Sequence, residues 1–492
     1  MDHVFSLIKS LSQSEKRYFV RFAKFQTPAI TNSYLALFNR IVKEEKYDEK
    51  KLKQEFGSVH FAQLKQQLYR KLMQCLRLCY STNSSQNEVF IHLHNYKLLT
   101  SRGLSVFAEK ELRRSERIAH DAEMSHESAI VFRERNMLMS GMSNVIDLQA
   151  RIHENENFIT EQIATITNEH QYEKIFLEVE VLNKQLESTR NKEEMMLVTA
   201  FLENPLLINE SAAKSLQSKI YFNFSKGLAH YLMSDYLQCS RYMRITTALL
   251  SENPQLLLRQ EDLYIRALAN TCLSCIHLNE TNEFKVGFQK LEAARISDSN
   301  TSKYREYLCY LLQLMLLNKN KSFDQAVLLI ESKRELTTYM EKKMTMKKNV
   351  SQEHVYSVFQ QATSYLGIGM HKKASSILSK FIDLKSKGLK EDSYIIARLF
   401  FLCIRFELNN PNSIESEMRS IHRYLKEKNK LFLFEKHFLT FISKMLISTS
   451  TLENKRNFLA LKTELEILKE IEFEKNAFSY FDFSNWINKF IQ

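Results

Sequence analysis

Turns and sheets depend on glycine and proline, and this chain carries only 8 glycines and 4 prolines in 492 residues. Ordinary usage is about 7% and about 5%. Hairpin turns, bulges and sheet edges need residues that accept or pre-set unusual φ values, so the shortage argues against β architecture and predicts an all-α chain. Apolar material is plentiful, at 44% hydrophobic residues with 33 Phe and 21 Tyr. That is enough to bury cores rather than leave the chain disordered.

The stretch from His354 to Leu384 shows how such helices would pack. Ala362 and Tyr365 end one amphipathic segment, Gly367 and Gly369 mark a turn, and Ala374, Leu378 and Phe381 line a second segment. Small residues fall where two antiparallel helices must cross closely, because a large side chain there would force them apart.

Taken in order, the chain opens with Ser12 and Glu15 in a capping-box pattern, followed by an apolar stripe of Tyr18, Phe19, Phe22 and Phe25, which Pro28 stops. A second helix is expected from Asn32 to Glu45, and a short third from an Asp48 cap to Phe56, ended by Gly57. From Phe61 a longer helix places Leu64, Leu68, Leu72, Cys75, Leu76 and Cys79 on one stripe, with Gln63, Gln66, Gln67, Arg70, Gln74 and Arg77 opposite. Residues 1 to 80 hold 15 Lys or Arg against 7 Asp or Glu, so +8 of the net +12 lies there. Ser81 to Glu88 reads as a linker. Long helices follow from Ser128 to Glu187, and Pro205 marks the next break. The expected domains are a basic N-terminal unit at 1–80, long helices with one hairpin at 81–204, helical repeats at 205–475 and an aromatic tail at 476–492.

The tail, Ala477 to Trp486, holds the single tryptophan. It either folds back to cap the repeats or serves as a docking motif.

From Tyr221 onward one template recurs, and it resembles the tetratricopeptide family. Its first slot holds Gly227, Cys275, Leu314 and Ala362 and, in a poorer copy, Arg405, spaced 48, 39, 48 and 43 residues apart, against that family's 34. Ala374, Gly287 and Ala326 occupy the second small slot in their copies, whereas Glu417 breaks the pattern in the last. An upstream copy reads Tyr96, Leu99, Gly103, Ala108 and Leu112. The resemblance implies a right-handed α-solenoid of degenerate hairpins with a groove lined by Tyr221, Phe224, Leu228 and Tyr231 in one unit and by Tyr356, Phe359, Thr363 and Leu366 in another. It also assigns Asn279, Asn318 and Asn409 to a groove position. Each follows a leucine near a helix end, so a left-handed cap is the competing reading. The residues around Phe61 also resemble a helix-turn-helix unit. The Leu11–Phe19 opening together with Tyr480–Phe483 resembles an uncharacterised family of long bacterial helical-repeat proteins, which implies no activity.

Reactive chemistry finds little footing. Cys272 and Cys275 make a lone CxxC with His277 nearby, where a zinc site needs more ligands. The seven cysteines suit a reducing compartment as core residues. No phosphate-cradling or nucleophile motif is present. Lys342, Lys343, Lys347 and Lys348 form a second basic cluster. The longest apolar run, Leu308 to Leu317, is interrupted by Gln313 and falls short of a membrane span. The expectation is a non-catalytic cytoplasmic scaffold or adaptor for a protein or peptide, with no cofactor, metal or membrane contact. The alternative is a nucleic-acid-associated regulator using Lys65, Arg70, Lys71 and Arg77.

Overall fold

A computed structural model describes residues 2–26, 33–80, 84–139, 145–345, 350–409, 411–448, 450–478 and 480–491. Among these residues the regular elements are all helices, as the glycine shortage requires. The chain forms two compact units, residues 1–166 and 167–492, divided inside the 41-residue Val145–Gln185 helix.

In the first unit the capping box forms reciprocally: Ser12 N donates to Glu15 Oε2 at 2.6 Å and Glu15 N to Ser12 Oγ at 3.2 Å. A helix that the sequence reading missed, His3–Ser10, precedes it, with Asp2 accepting from Val4 N and Phe5 N. Asp2 also takes Lys65 Nζ at 2.6 Å, pinning this helix to Phe61–Cys79. Burial pushes the Asp2 carboxyl up, but the Lys65 ammonium and the backbone donors outweigh it and hold Asp2 below the usual carboxylate value. The Gln13–Gln26 helix buries Phe19 and Ala23, while Tyr18 and Phe25 of the expected apolar stripe stand outside at 40% and 94% exposure. Pro28 lies outside the described residues, as do residues 81–83. From Ser84 the expected linker is already a cap and a helix, Ser85–Thr100, which pairs with Ser105–Asp121 around Val89, Leu93, Tyr96, Ala108 and Leu112.

The second unit is built from successive hairpins. Leu216–Leu232 pairs with Tyr236–Glu252, Glu261–Leu278 with Thr281–Ala293, Ser299–Lys319 with Phe323–Ser332, Gln352–Gly367 with His371–Ile382, Glu391–Glu407 with Pro411–Glu427, and Leu433–Ile447 with Thr451–Lys469. Neighbouring hairpins pack on one another in chain order, and a single apolar core runs from Tyr172 to Ile487. Ala362, Ala374 and Ala326 are fully buried at the crossings. Where Glu417 replaces a small residue, Arg398 Nε meets it at 2.7 Å, so an ion pair occupies the crossing instead.

The two glycines of the His354–Leu384 hairpin have different jobs. Gly369, at φ +77°, makes the turn. Gly367 still belongs to the helix, and its place is set by contact, because a Cβ there would lie 2.2 Å from Cγ of Phe323. Gly367→Ala is therefore expected to destabilise the fold by about 1–3 kcal/mol through overpacking, and Phe323→Leu in the same chain to recover part of that loss. Urea denaturation followed by circular dichroism checks both.

Candidate peptide-binding cleft

A six-residue connection, Leu186 to Asn191, follows the long helix and runs through the interior of the second unit. Glu187, Ser188, Thr189 and Arg190 are all buried. Buried backbone needs partners, and several groups of this loop have them. Thr189 N donates to Leu232 O at 3.0 Å, Thr189 O accepts from Asn476 Nδ2 at 2.6 Å, and Leu186 O accepts from Lys390 Nζ at 2.8 Å. The Arg190 guanidinium donates to both carboxylate oxygens of Glu435, at 2.9 and 3.3 Å, and stands 3.8 Å from Glu474. Glu474 in turn accepts from Leu433 N and Phe434 N at the start of the Leu433–Ile447 helix.

Glu187 accepts from Ser393 N at 2.7 Å and from the Ser393 hydroxyl, in the first turn of Glu391–Glu407. Burial, and then the charge of Asp392, push its carboxyl up to about 7 despite Lys390 and these hydrogen bonds.

Beside this loop lies a cleft of about 90 Å³. The first helices of four consecutive hairpins line it. Leu228 and Tyr231 come from the first, Arg266, Ala269, Asn270 and Leu273 from the second, Tyr304, Leu308, Leu311, Leu312 and Met315 from the third, and Gln352, Glu353 and Tyr356 from the fourth, with Asn183 from the long helix. Its walls are mostly apolar, with polar groups among them. Arg266 pairs with Glu180, lies 3.8 Å from Asp262 and sits over the Phe224 ring at 5.0 Å. The Tyr304 hydroxyl donates to Glu353 Oε1 at 2.7 Å, and burial followed by the Glu353 charge holds that phenol well above its ordinary value. Tyr231 and Tyr356 share a hydrogen bond of 2.7 Å between their hydroxyls. Gln352 Nε2 donates to the Tyr480 hydroxyl at 2.7 Å, while its Oε1 is buried without a partner.

The residues expected to line a groove divide in two. Leu228, Tyr231 and Tyr356 come together in the cleft. Phe224, Phe359 and Leu366 are packed into the core at 0%, 0% and 3% exposure, and Tyr221 stacks on Phe176. Thr363 Oγ1 bonds back to Phe359 O. Asn279, at φ +61°, caps its helix in the left-handed conformation, and Asn409 adopts φ +53°. Asn318 instead bridges two hairpins, donating to Gln360 O and Oε1 at 2.9 Å and accepting from Ser364 Oγ at 2.8 Å. None of these three asparagines lines the cleft.

The cleft residues Arg266, Tyr304 and Glu353, and Glu180 that pairs with Arg266, went unnoticed in the sequence reading, as did the Arg190 loop. The available signal was a charged residue on an otherwise apolar helix face, which Glu435 shows clearly.

The tail is drawn inward. Tyr480 packs on Tyr356 and Phe359 with ring centroids 5.3 and 5.2 Å away, Phe481 stacks on Phe400 at 3.8 Å, and Trp486 Nε1 donates to Glu407 Oε1 at 2.8 Å. The tail thus spans several hairpins.

The CxxC cysteines are buried, and burial pushes Cys272 up to about 12. His277, stacked on Tyr236 at 4.0 Å, is pushed down to about 4 by burial and then by Lys319. Among the described residues no group of three or more His, Cys, Asp or Glu is placed to hold a metal ion, and no helix is long and apolar enough to cross a membrane. Of the second basic cluster, Lys347 and Lys348 lie outside the described residues, while Lys342 and Lys343 end the Arg334–Thr345 helix.

Because burial raises the Glu187 value above the ordinary 4.5, its protonated form favours the fold. Its contribution is complete below about pH 4.5 and is lost as pH rises through about 7, by on the order of 3 kcal/mol. Glu187→Gln is expected to flatten the fall in stability between pH 5 and pH 7 measured by urea denaturation, about two pH units across which the parent should weaken. Comparison of the chain with family models, with curated proteins and with solved structures returns no match.

Proposed function

We propose that this chain is a non-catalytic cytoplasmic scaffold or adaptor. In this reading its hairpins stack as a right-handed α-solenoid of degenerate tetratricopeptide-like units, and the cleft holds a segment of a partner protein. The observation that carries the reading is the convergence of four consecutive first helices on one cleft, which sets Leu228, Tyr231, Leu312 and Tyr356 beside the amides of Asn183, Asn270 and Gln352. Apolar walls with a few convergent polar groups suit a ligand that is part side chain and part peptide backbone. At about 90 Å³ the cleft is much smaller than the roughly 300–1,000 Å³ typical of small-molecule and cofactor pockets, and it fits one inserted apolar side chain better. Burying such an anchor contributes about 1.5–3 kcal/mol, roughly ten- to a hundredfold in affinity.

Selection of a random peptide library on the purified chain tests the reading. Enriched peptides should share an apolar anchor and should weaken by about tenfold or more against Asn270→Trp, which fills the cleft from a half-buried position. Failure of any peptide to enrich, or equal binding to Asn270→Trp, would overturn it.

A further inference from the structure

We infer that the outward face of the Gln13–Gln26 helix is a contact surface for single-stranded nucleic acid. Arg17, Arg21 and Lys24 recur at i, i+4 and i+7, which places them along one stripe of about 10 Å. All three are exposed, and none pairs with a carboxylate among the described residues. Tyr18 and Phe25 lie together along one side of the stripe at 40% and 94% exposure. The opposite side of the helix carries Phe19 and Ala23, both buried, so this face cannot rotate into the core.

The charge of residues 1–80 is also segregated. Asp2 is taken by Lys65, Glu44 by Arg40 and Lys51, Glu49 by Lys53, and Glu55 by Arg40. Glu15 closes its own capping box and accepts from the Tyr80 hydroxyl at 2.7 Å, and Asp48 caps the Glu49–Phe56 helix. Most acids are thereby occupied by other groups, and the stripe is left electropositive.

Lys65, expected from sequence to meet phosphate, is consumed by Asp2, and Lys71 is half-buried beside Gln74. Arg70 and Arg77 are exposed on the Phe61–Cys79 helix, but the rings beside them are already engaged, Tyr69 edge-on against His3 with centroids 5.4 Å apart and Tyr80 through its hydroxyl with Glu15.

Cations interleaved with exposed rings are the chemistry of single-strand binding: phosphates meet the charges, and unstacked bases lie on the aromatic faces. A duplex keeps its bases stacked away from Tyr18 and Phe25. An anionic membrane would call for an apolar helix face turned outward, and here that face is committed to the core. The inference is independent of the peptide-cleft reading.

The test is fluorescence anisotropy of the full chain with a labelled oligo(dT) of about 20 nucleotides, longer than usual site sizes, across a salt series. Three neutralised phosphates give an expected slope of log affinity against log salt of about −2. The triple variant Arg17→Glu, Arg21→Glu, Lys24→Glu should weaken binding at least about tenfold and flatten that slope. The pair Tyr18→Ala, Phe25→Ala should weaken it several-fold with the slope kept, and Arg70→Glu, Arg77→Glu should leave binding unchanged. Circular dichroism confirms that each variant is folded. Should the triple variant misfold, the single changes Arg17→Gln, Arg21→Gln and Lys24→Gln decide, each expected to reduce the slope by about 0.7. No binding at low salt, loss on the Arg70 and Arg77 changes instead, tighter binding to duplex of the same sequence, or binding only to anionic vesicles would each overturn the proposal.

Discussion

Arg190 is 2% exposed and holds its charge between Glu435 and Glu474, with the Phe432 ring 5.0 Å away. Removing a guanidinium from water costs several kcal/mol, and only close carboxylates with well-placed hydrogen bonds offset it. Burial drives Glu435 upward and Arg190 opposes that shift, so each ion is tolerable only because of the other. The geometry matters beyond its energy. Glu474 spends its remaining acceptors on the first backbone amides of the Leu433–Ile447 helix, so one charge at the start of the second unit is wired to the helix end that opens its last hairpin. Loss of either side would leave the other charge stranded, which typically costs 3–5 kcal/mol, about a third or more of an ordinary domain's stability.

The helices were legible because local rules decide them. The Ser12 and Glu15 capping box and the Asp48 cap with its Gly57 stop are properties of a few adjacent residues, and the buried Ala362, Ala374 and Ala326 follow from the spacing of small residues. What escaped was decided by residues far apart in the chain. Periodicity could not show that Gly367 is small because of Phe323, or that Glu417 is admitted to a crossing by Arg398. It placed Tyr18 and Phe25 on an inward stripe because aromatic residues usually are inward, yet the Phe19 and Ala23 side faces the core.

The cleft was half visible for the same reason. Leu228, Tyr231 and Tyr356 fall at three different positions that the repeat template assigns to a groove, which repetition exposes, whereas Glu180, Arg266, Tyr304 and Glu353 meet only through folding. The tail reinforces this arrangement from the far side. Tyr480 receives a hydrogen bond from Gln352, a cleft residue, and its ring contacts Tyr356, another. The cleft and the last residues of the chain are therefore one packed assembly.

That assembly has a consequence for how the chain is made. Thr189 O waits for Asn476, 287 residues later in the sequence, and at about 5–20 residues per second a ribosome needs roughly fifteen to sixty seconds to deliver it. Early hairpins can form as they emerge, but the polar loop at their centre completes its partners only in stages, as Leu232, then Lys390 and Ser393, then Glu435 and at last Asn476 are made. During that interval the nascent chain carries unsatisfied Arg190 and Glu187 beside open apolar faces, so its passage through the cell begins with a timed vulnerability that holdase chaperones are suited to cover.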